Sequence, residues 1–105
     1  MSGSVDPSPE DVVEPRWHVY VLRCADDTLY TGVAVDVFRR LYYHNLGRGA
    51  KYTRSRTPVS LHHSEGPMTR SEALRREIVI KRLSRADKEH LGSPDRREGE
   101  PDGQR

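Results

Sequence analysis

Two short runs of aromatic and β-branched residues, separated by a polar turn, most constrain how this chain can fold. Trp17 to Cys24 is the first run, and residues of these types favour a strand that is buried on at least one face. Residues 25–28, Ala-Asp-Asp-Thr, form the turn, because aspartate side chains bond nearby backbone amides. Leu29 to Val35 is predicted to form a second strand, antiparallel to the first. The sequence therefore predicts a β-hairpin over residues 17–35.

Two tyrosines of the hairpin lie on predictable faces, because side chains alternate along a strand. Tyr20 shares a face with His18 and Leu22, and Tyr30 shares a face with Gly32. With a simple hairpin register, both phenols lie on the same side of the sheet. Gly32 leaves an unobstructed patch of backbone beside Tyr30.

The composition limits the chain to one small domain with polar ends. It has 105 residues, of which 33% are hydrophobic and 32% are charged, so its core is small. Residues 1–15 hold four acids, three prolines and no Lys or Arg, and residues 93–105 hold four acids and three arginines. Such segments favour disorder. We therefore predict one domain over residues 16–92, between an acidic disordered tail, residues 1–15, and a second disordered tail, residues 93–105.

The predicted domain is basic, since residues 16–92 hold 15 Lys or Arg and 8 Asp or Glu. This excess indicates a domain that binds a polyanion, although a surface on which arginine is simply common explains the charge equally well. No apolar run approaches the ~20 residues that span a bilayer, and the N-terminus has no signal pattern. The single cysteine, Cys24, excludes an internal disulfide and fits a buried thiol in a reducing compartment. We therefore expect a cytoplasmic protein without a membrane span.

Helix-capping residues and a weak alternation predict the elements after the hairpin. Asp36 is a good N-cap, and Thr69 with Glu72, like Ser84 with Asp87, has the pattern of a capping box. The predicted elements are helices ending near Asn45, Leu83 and Leu91 and a third strand over residues 59–65. The sequence therefore predicts an α+β fold, with a small three-stranded antiparallel sheet, made of the hairpin and a third strand, flanked by helices.

Arg40 and His44 are four residues apart on the first predicted helix, so their side chains project together. From spacing alone, a surface position is the commoner explanation for such a pair. The next segment, residues 46–58, mixes basic residues with glycine and tyrosine, a mixture that suits a nucleic-acid backbone. A solvated loop is an equally good explanation. The basic residues concerned are Arg48, Lys51, Arg54 and Arg56.

Glu77 is an acid inside an apolar helical segment. At ~100° per residue, its neighbours on the helix surface include Ala73, Leu74, Ile78 and Ile80. A carboxylate in apolar surroundings is costly unless it is paired or bound to a metal. An ion pair with Lys81, four residues on and in the favourable order, is the simpler explanation from the sequence alone.

Taken together, these positions resemble the GIY-YIG nuclease domain over residues 17–91. The matching residues, in order, are Val19-Tyr20, Tyr30-Thr31-Gly32, Arg40, His44 and Glu77. The chain is similar to the small stand-alone bacterial members and also to the catalytic module of eukaryotic endonucleases that cut branched DNA. His18 stands where the first signature has glycine, and Thr31 replaces an isoleucine. Neither position supplies a chemical group in the family's mechanism.

The resemblance implies a metal-dependent nuclease that hydrolyses DNA phosphodiester bonds, including structure-specific cleavage in DNA repair or recombination. By this resemblance, Glu77 would hold the divalent metal ion, Mg²⁺ or Mn²⁺, and Arg40 would bind the phosphate. Tyr20 or Tyr30 would be the general base, with Tyr20 favoured, and His44 would tune or relay the proton. The expected partner is branched, flapped or single-stranded DNA, and the basic segment would contact its backbone. The alternatives are a non-catalytic or partner-dependent nucleic-acid-binding module and an RNA nuclease of the same fold.

Overall fold

The computed structural model describes residues 15–92, and its architecture confirms the predicted α+β class. The elements, in chain order, are β1 (Trp17–Arg23), β2 (Leu29–Ala34), α1 (Val37–Asn45), α2 (Lys51–Arg54), β3 (Ser60–Met68), α3 (Arg70–Lys81) and α4 (Arg85–Leu91). Among these helices, none has both the length and the apolar character needed to cross a membrane. The predicted disordered tails, residues 1–15 and 93–105, lie outside the described residues apart from Pro15.

The sheet is antiparallel and has the order β2-β1-β3, so the first strand is central. Its middle residues Val19, Tyr20, Val21 and Leu22 are all buried, as expected for a strand covered on both faces and paired along both edges. The two strands of the predicted hairpin pair directly, with Tyr20 opposite Gly32 and Leu22 opposite Tyr30. This register places both phenols on one face.

Each face of the sheet has its own core cluster. Tyr20 and Leu22 pack on the face covered by α1, where Val37 joins them. Val19 and Val21 pack on the opposite face against α3. Because side chains alternate along β1, one strand supplies both clusters. Helix α1 is thereby held on the face that carries the phenols, and α3 on the other.

Side-chain caps begin three of the helices, as predicted. Asp36 accepts a hydrogen bond from the backbone amide three residues on, at 3.0 Å. Thr69 and Glu72 bond each other's backbone amides in a complete capping box. Ser84 accepts from the amide three residues on, at 3.1 Å; within the described residues only this half of its predicted box is formed. Each cap satisfies an amide that the first helical turn leaves without a partner, which fixes where the helix begins.

Two segments differ from the prediction. The third strand continues past residue 65 to Met68, because its end pairs with the start of β1, where Trp17 lies opposite Met68. Residues 51–54 form a one-turn helix within the segment predicted as a loop. Its turn is closed by Thr53, whose backbone amide and hydroxyl both donate to the Ala50 carbonyl, at 3.1 and 3.0 Å. A single turn is too short to leave a periodic pattern in the sequence.

Helix α4 is held on the hairpin by the ion pair between Glu89 and Arg23, and a second pair within α4 also involves Glu89. Arg23 in β1 donates to its carboxylate, and Arg85 in α4 does so at 2.7 Å. The bonds from Arg23, and then from Arg85, lower the pKa of Glu89 to about 2. A carboxylate with a lowered folded pKa stabilises the fold while it is ionised.

We expect Glu89→Gln to lower the melting temperature at neutral pH, by an amount that shrinks as the pH falls from about 4.5 toward 2. The folded pKa of Glu89, about 2, lies below its ordinary 4.5, so its stabilising charge is fully present above pH 4.5 and is lost as the pH falls through 2. Thermal unfolding of both chains, followed by circular dichroism across this pH range, measures the difference. A difference that stayed constant down to pH 2 would contradict the assignment.

Candidate active site

Tyr20, Tyr30 and His44 form an aromatic cluster on the face covered by α1. The ring centroids of the two tyrosines are 6.4 Å apart, and those of Tyr30 and His44 are 5.4 Å apart. A Cβ atom added at Gly32 would lie 2.6 Å from the Tyr20 hydroxyl oxygen, so the phenol fits only above a glycine. The two phenols lie on one face of the sheet, as predicted, and His44 of α1 packs beside them.

A chain of hydrogen bonds runs from Tyr20 through His44 to Thr53. The Tyr20 hydroxyl oxygen lies 3.1 Å from His44 Nε2, and His44 Nδ1 lies 2.7 Å from Thr53 Oγ1. His44 and Thr53 are both fully buried. Thr53 is not among the predicted site residues. Its only signal in the sequence is a hydroxyl side chain within a basic segment.

An open cleft of about 490 Å³ lies beside the aromatic cluster. Arg40 is exposed on α1, one turn before His44, and its side chain forms part of the cleft wall. The residues that line the cleft are Tyr30, Arg40, Tyr43, His44, Arg48, Gly49 and Ala50. Two guanidinium groups beside an accessible phenol make the cleft suited to a phosphate group.

Glu77 lies on the sheet-facing side of α3. Ala73 and Ile80, one turn away on either side, are fully buried. The Glu77 side chain is 18% exposed, and its carboxylate pairs with Lys81 Nζ at 3.1 Å, so the ion pair suggested by the sequence is present. Ile78 is 49% exposed rather than packed around the acid. Fewer apolar side chains therefore surround Glu77 than the sequence predicts.

The other four predicted site residues all influence the Tyr20 hydroxyl, by a hydrogen bond or through its pKa. Burial, and then the neighbouring Tyr30, raise the pKa of Tyr20 to about 12. Arg40 opposes this rise and Glu77 adds to it, so both charges lie within electrostatic range of the phenol. His44 bonds the hydroxyl directly. The structure thus brings Tyr20, Tyr30 and His44 into one cluster and places Arg40 in the adjacent cleft wall. Glu77 lies on α3 and acts on Tyr20 through its charge.

His44 is held as a neutral imidazole. Burial lowers its pKa below the ordinary 6.5, and the positive charge of Arg40 lowers it further. A neutral imidazole has one nitrogen that donates and one that accepts. The Tyr20 phenol, with its raised pKa, is also neutral at pH 7. The cluster therefore contains a neutral phenol bonded to a neutral imidazole, a pair through which a proton can pass.

Glu77 is suited to a metal ion that needs few protein ligands. Across residues 15–92, no three His, Cys, Asp or Glu side chains lie close enough together to hold a metal ion by themselves. Mg²⁺ does not need such a group, because it keeps several waters and binds through one or two carboxylates and substrate phosphates. A partly exposed carboxylate whose charge acts on the Tyr20 pKa meets that requirement, provided that Lys81 gives up its ion pair.

The basic residues predicted to bind nucleic acid differ in their contacts. Arg48 lines the cleft, and Lys51 and Arg54 are exposed on α2. Arg56 instead donates from Nε to the Asp26 carboxylate in the hairpin turn, at 2.9 Å. Of the four, Arg48 is thus the side chain that borders the cleft, while Arg56 helps to hold the segment on the hairpin.

Comparison with known proteins gives one family and several relatives. A family model described as the GIY-YIG catalytic domain matches residues 16–90. A UPF0213 protein of Halobacterium salinarum is 61% identical over 74 residues, which cover 70% of this chain and 96% of that protein. A UPF0213 protein of Bacillus licheniformis is 48% identical over 82 residues, covering 78% of this chain and 84% of that protein. The solution NMR structure of a UPF0213 protein from Bacillus halodurans is 43% identical, covers 75% of this chain and 88% of that one, and has a TM-score of 0.48.

Proposed function

The chain belongs to the GIY-YIG catalytic domain family, which supports a nuclease-type function, and from that premise we propose that it is a metal-dependent DNA endonuclease. The proposal includes structure-specific cleavage of branched, flapped or single-stranded DNA, as in repair or recombination. The observation that supports it best is the hydrogen bond between the Tyr20 hydroxyl and His44, beside a cleft lined by Arg40 and within the electrostatic influence of Glu77. Phosphodiester hydrolysis uses groups of these kinds: a pair that transfers a proton, a cationic side chain that binds the phosphate, and an acid that binds a metal ion.

Arg40 binds the reacting phosphate in this proposal. It is exposed, lines the cleft and carries a permanent charge. Its planar guanidinium can pair with two non-bridging oxygens at once and stabilise the charge that builds on them in the transition state. A phosphate held there also offsets the positive charge that lowers the pKa of His44, so substrate binding makes His44 a better proton acceptor.

Tyr20 and His44 together remove the proton of the attacking water. Because the pKa of Tyr20 is raised to about 12, the phenol is not a phenolate at neutral pH. Its oxygen accepts the proton of water while its own hydrogen passes along the 3.1 Å bond to His44 Nε2. The phenol is unchanged by this exchange and the imidazole becomes protonated, so histidine supplies the base strength.

Glu77 would hold the divalent cation, Mg²⁺ or Mn²⁺, in place of its ion pair with Lys81. When bound, the cation polarises the phosphate and stabilises the leaving oxygen. A single carboxylate would be enough for Mg²⁺, which needs only one or two protein carboxylates.

The purified chain is expected to cleave DNA in Mg²⁺ or Mn²⁺ but not in EDTA, and Arg40→Ala is expected to lower the rate about 10²–10³-fold. That range is the usual cost of removing one preorganised donor to a transition-state oxygen. Single-turnover rates on branched, flapped, nicked, single-stranded and duplex DNA, and on matching RNA, measure the effect.

Arg39→Ala is the matched control for Arg40→Ala. It removes the same charge from the preceding residue of α1, where Arg39 donates to the Tyr43 hydroxyl at 3.3 Å. A surface substitution of this kind is expected to change the rate by about twofold or less. Equal losses in both variants would indicate a general charge effect and remove the specific role of Arg40. Binding without cleavage of any substrate would identify a binding module, and cleavage of RNA alone an RNA nuclease.

A further inference from the structure

Thr53 is a buried polar residue to which the proposed reaction assigns no part. None of its surface is exposed, although it comes from the short helix α2 in a basic segment. Its hydroxyl oxygen lies 2.7 Å from His44 Nδ1 and 3.0 Å from the carbonyl oxygen of Ala50. The partner of one ring nitrogen decides which nitrogen of a histidine carries the hydrogen. Thr53 therefore bears directly on what His44 Nε2 can do.

Counting hydrogens gives a consistent direction for each hydrogen bond when the Thr53 hydroxyl donates to the Ala50 carbonyl. A hydroxyl has one hydrogen to donate, and a carbonyl oxygen can only accept. With the Thr53 hydrogen directed to the Ala50 carbonyl, Oγ1 must accept from His44 Nδ1. Nε2 of a neutral imidazole then has no hydrogen and accepts from the Tyr20 hydroxyl. In this direction every group of the hydrogen-bonded chain has a partner.

The segment that carries Thr53 also fixes the position of the ring. A Cβ atom added at Gly49 would lie 2.1 Å from His44 Nδ1, so the backbone there packs directly against the imidazole. Tyr52, next to Thr53, stacks on Tyr30 with ring centroids 5.9 Å apart and planes 21° apart. These contacts hold α2 against the aromatic cluster, and they keep Nδ1 directed toward Thr53.

We propose that Thr53 is a positioning residue that holds His44 in the tautomer with its hydrogen on Nδ1, so that Nε2 accepts the hydrogen of Tyr20. The importance of this arrangement for cleavage rests on the proposed function, whereas the tautomer itself does not. If Thr53 donated to Nδ1 instead, the hydrogen would be on Nε2, His44 would donate to Tyr20, and the imidazole could not take the phenol's proton.

Long-range ¹H–¹⁵N correlation NMR of the ¹⁵N-labelled full chain distinguishes the tautomers, because protonated and bare ring nitrogens differ widely in ¹⁵N chemical shift. The chain has five histidines, and the spectrum of His44→Gln identifies the signals of His44. The wild-type ring is expected to be protonated at Nδ1 and bare at Nε2 at pH 7.5. A wild-type ring with its hydrogen on Nε2 would overturn the inference.

Thr53→Val and Thr53→Ser test the role of the hydroxyl. Valine keeps the shape and removes the hydroxyl, so His44 is expected to become a mixture of tautomers, whereas serine is expected to retain the Nδ1-protonated form. Cleavage should fall about 10–100-fold in Thr53→Val, as for other partners that orient a functional histidine, and recover in Thr53→Ser.

Backbone ¹H–¹⁵N spectra show whether each Thr53 variant folds, and if Thr53→Val does not, the wild-type and Thr53→Ser spectra decide the inference. A folded Thr53→Val that keeps His44 fully protonated at Nδ1 would overturn it. If the wild-type chain shows the expected His44 tautomer but cleaves no substrate, the inference about His44 is supported and the proposed function is overturned. The two failures are therefore distinguishable.

Discussion

Glu77→Gln is expected to lower metal-dependent cleavage about 10³-fold, because a bound cation contributes several kcal/mol of transition-state stabilisation and each 1.4 kcal/mol or so is tenfold in rate. Glutamine keeps the size of the side chain and removes the charge that a hard cation requires. The side chain is partly exposed and its ion-pair partner Lys81 is more exposed still. Cleavage rates in Mn²⁺, together with Mn²⁺ binding followed by electron paramagnetic resonance, measure the loss.

Lys81→Met is the matched control, because it breaks the same ion pair and leaves the carboxylate in place. An ion pair spaced four residues apart on a helix, with one partner exposed, contributes only about 0.3–0.5 kcal/mol, so its loss alone should barely change the melting temperature. With its competitor removed, Glu77 is expected to bind Mn²⁺ more tightly in Lys81→Met, and cleavage should persist. Equal losses of cleavage in Glu77→Gln and Lys81→Met would mean that the ion pair matters rather than the metal. Wild-type cleavage by Glu77→Gln would show that Glu77 is not the ligand.

The shared face of Tyr20 and Tyr30 could be predicted from the sequence because it depends on short-range rules. Strand alternation has a period of two, so a slip of one residue would turn the whole apolar set of β1 toward the wrong face. The short turn over residues 25–28 leaves little freedom in the register, and the observed pairing places Tyr20 opposite Gly32. The start of α3 could be predicted for a similar reason, since its cap at Thr69 bonds an amide only three residues away.

The role of Thr53 and the surroundings of Glu77 could not be predicted, because both depend on packing between distant segments. No pattern shows that a hydroxyl nine residues after His44 will lie 2.7 Å from its Nδ1. Helical projection places Ile78 near Glu77 but does not say which side of α3 faces the sheet, and the structure leaves Ile78 half-exposed. The order of the five predicted site residues along the chain could be recognised, but only the fold shows that His44 bonds the Tyr20 hydroxyl and that the charges of Arg40 and Glu77 act on it.

Tyr20→Phe is expected to lower cleavage about 10²–10⁴-fold, the range for a group that transfers a proton in the transition state. Phenylalanine keeps the buried ring and removes only the hydroxyl through which, in the proposed mechanism, the proton of water reaches His44. The loss of one hydrogen bond should cost about 1 kcal/mol of stability, too little to unfold the chain. Because burial lowers the pKa of His44 below 6.5, the imidazole is neutral above that pH, and wild-type cleavage should fall only as the pH drops well below it. Single-turnover rates as a function of pH measure both effects.

Tyr30→Phe shows which phenol is the base. Tyr30 lines the cleft and its ring lies close to His44, but the bond to Nε2 is made by Tyr20. If Tyr20 is the base, Tyr30→Phe removes only a group that positions the substrate, so its rate loss should be smaller and the fall of activity at acid pH should persist. That fall should disappear in Tyr20→Phe, because the path to His44 is gone. A larger loss in Tyr30→Phe would make the accessible phenol of the cleft the base, and Tyr20 would then act by holding His44 in place.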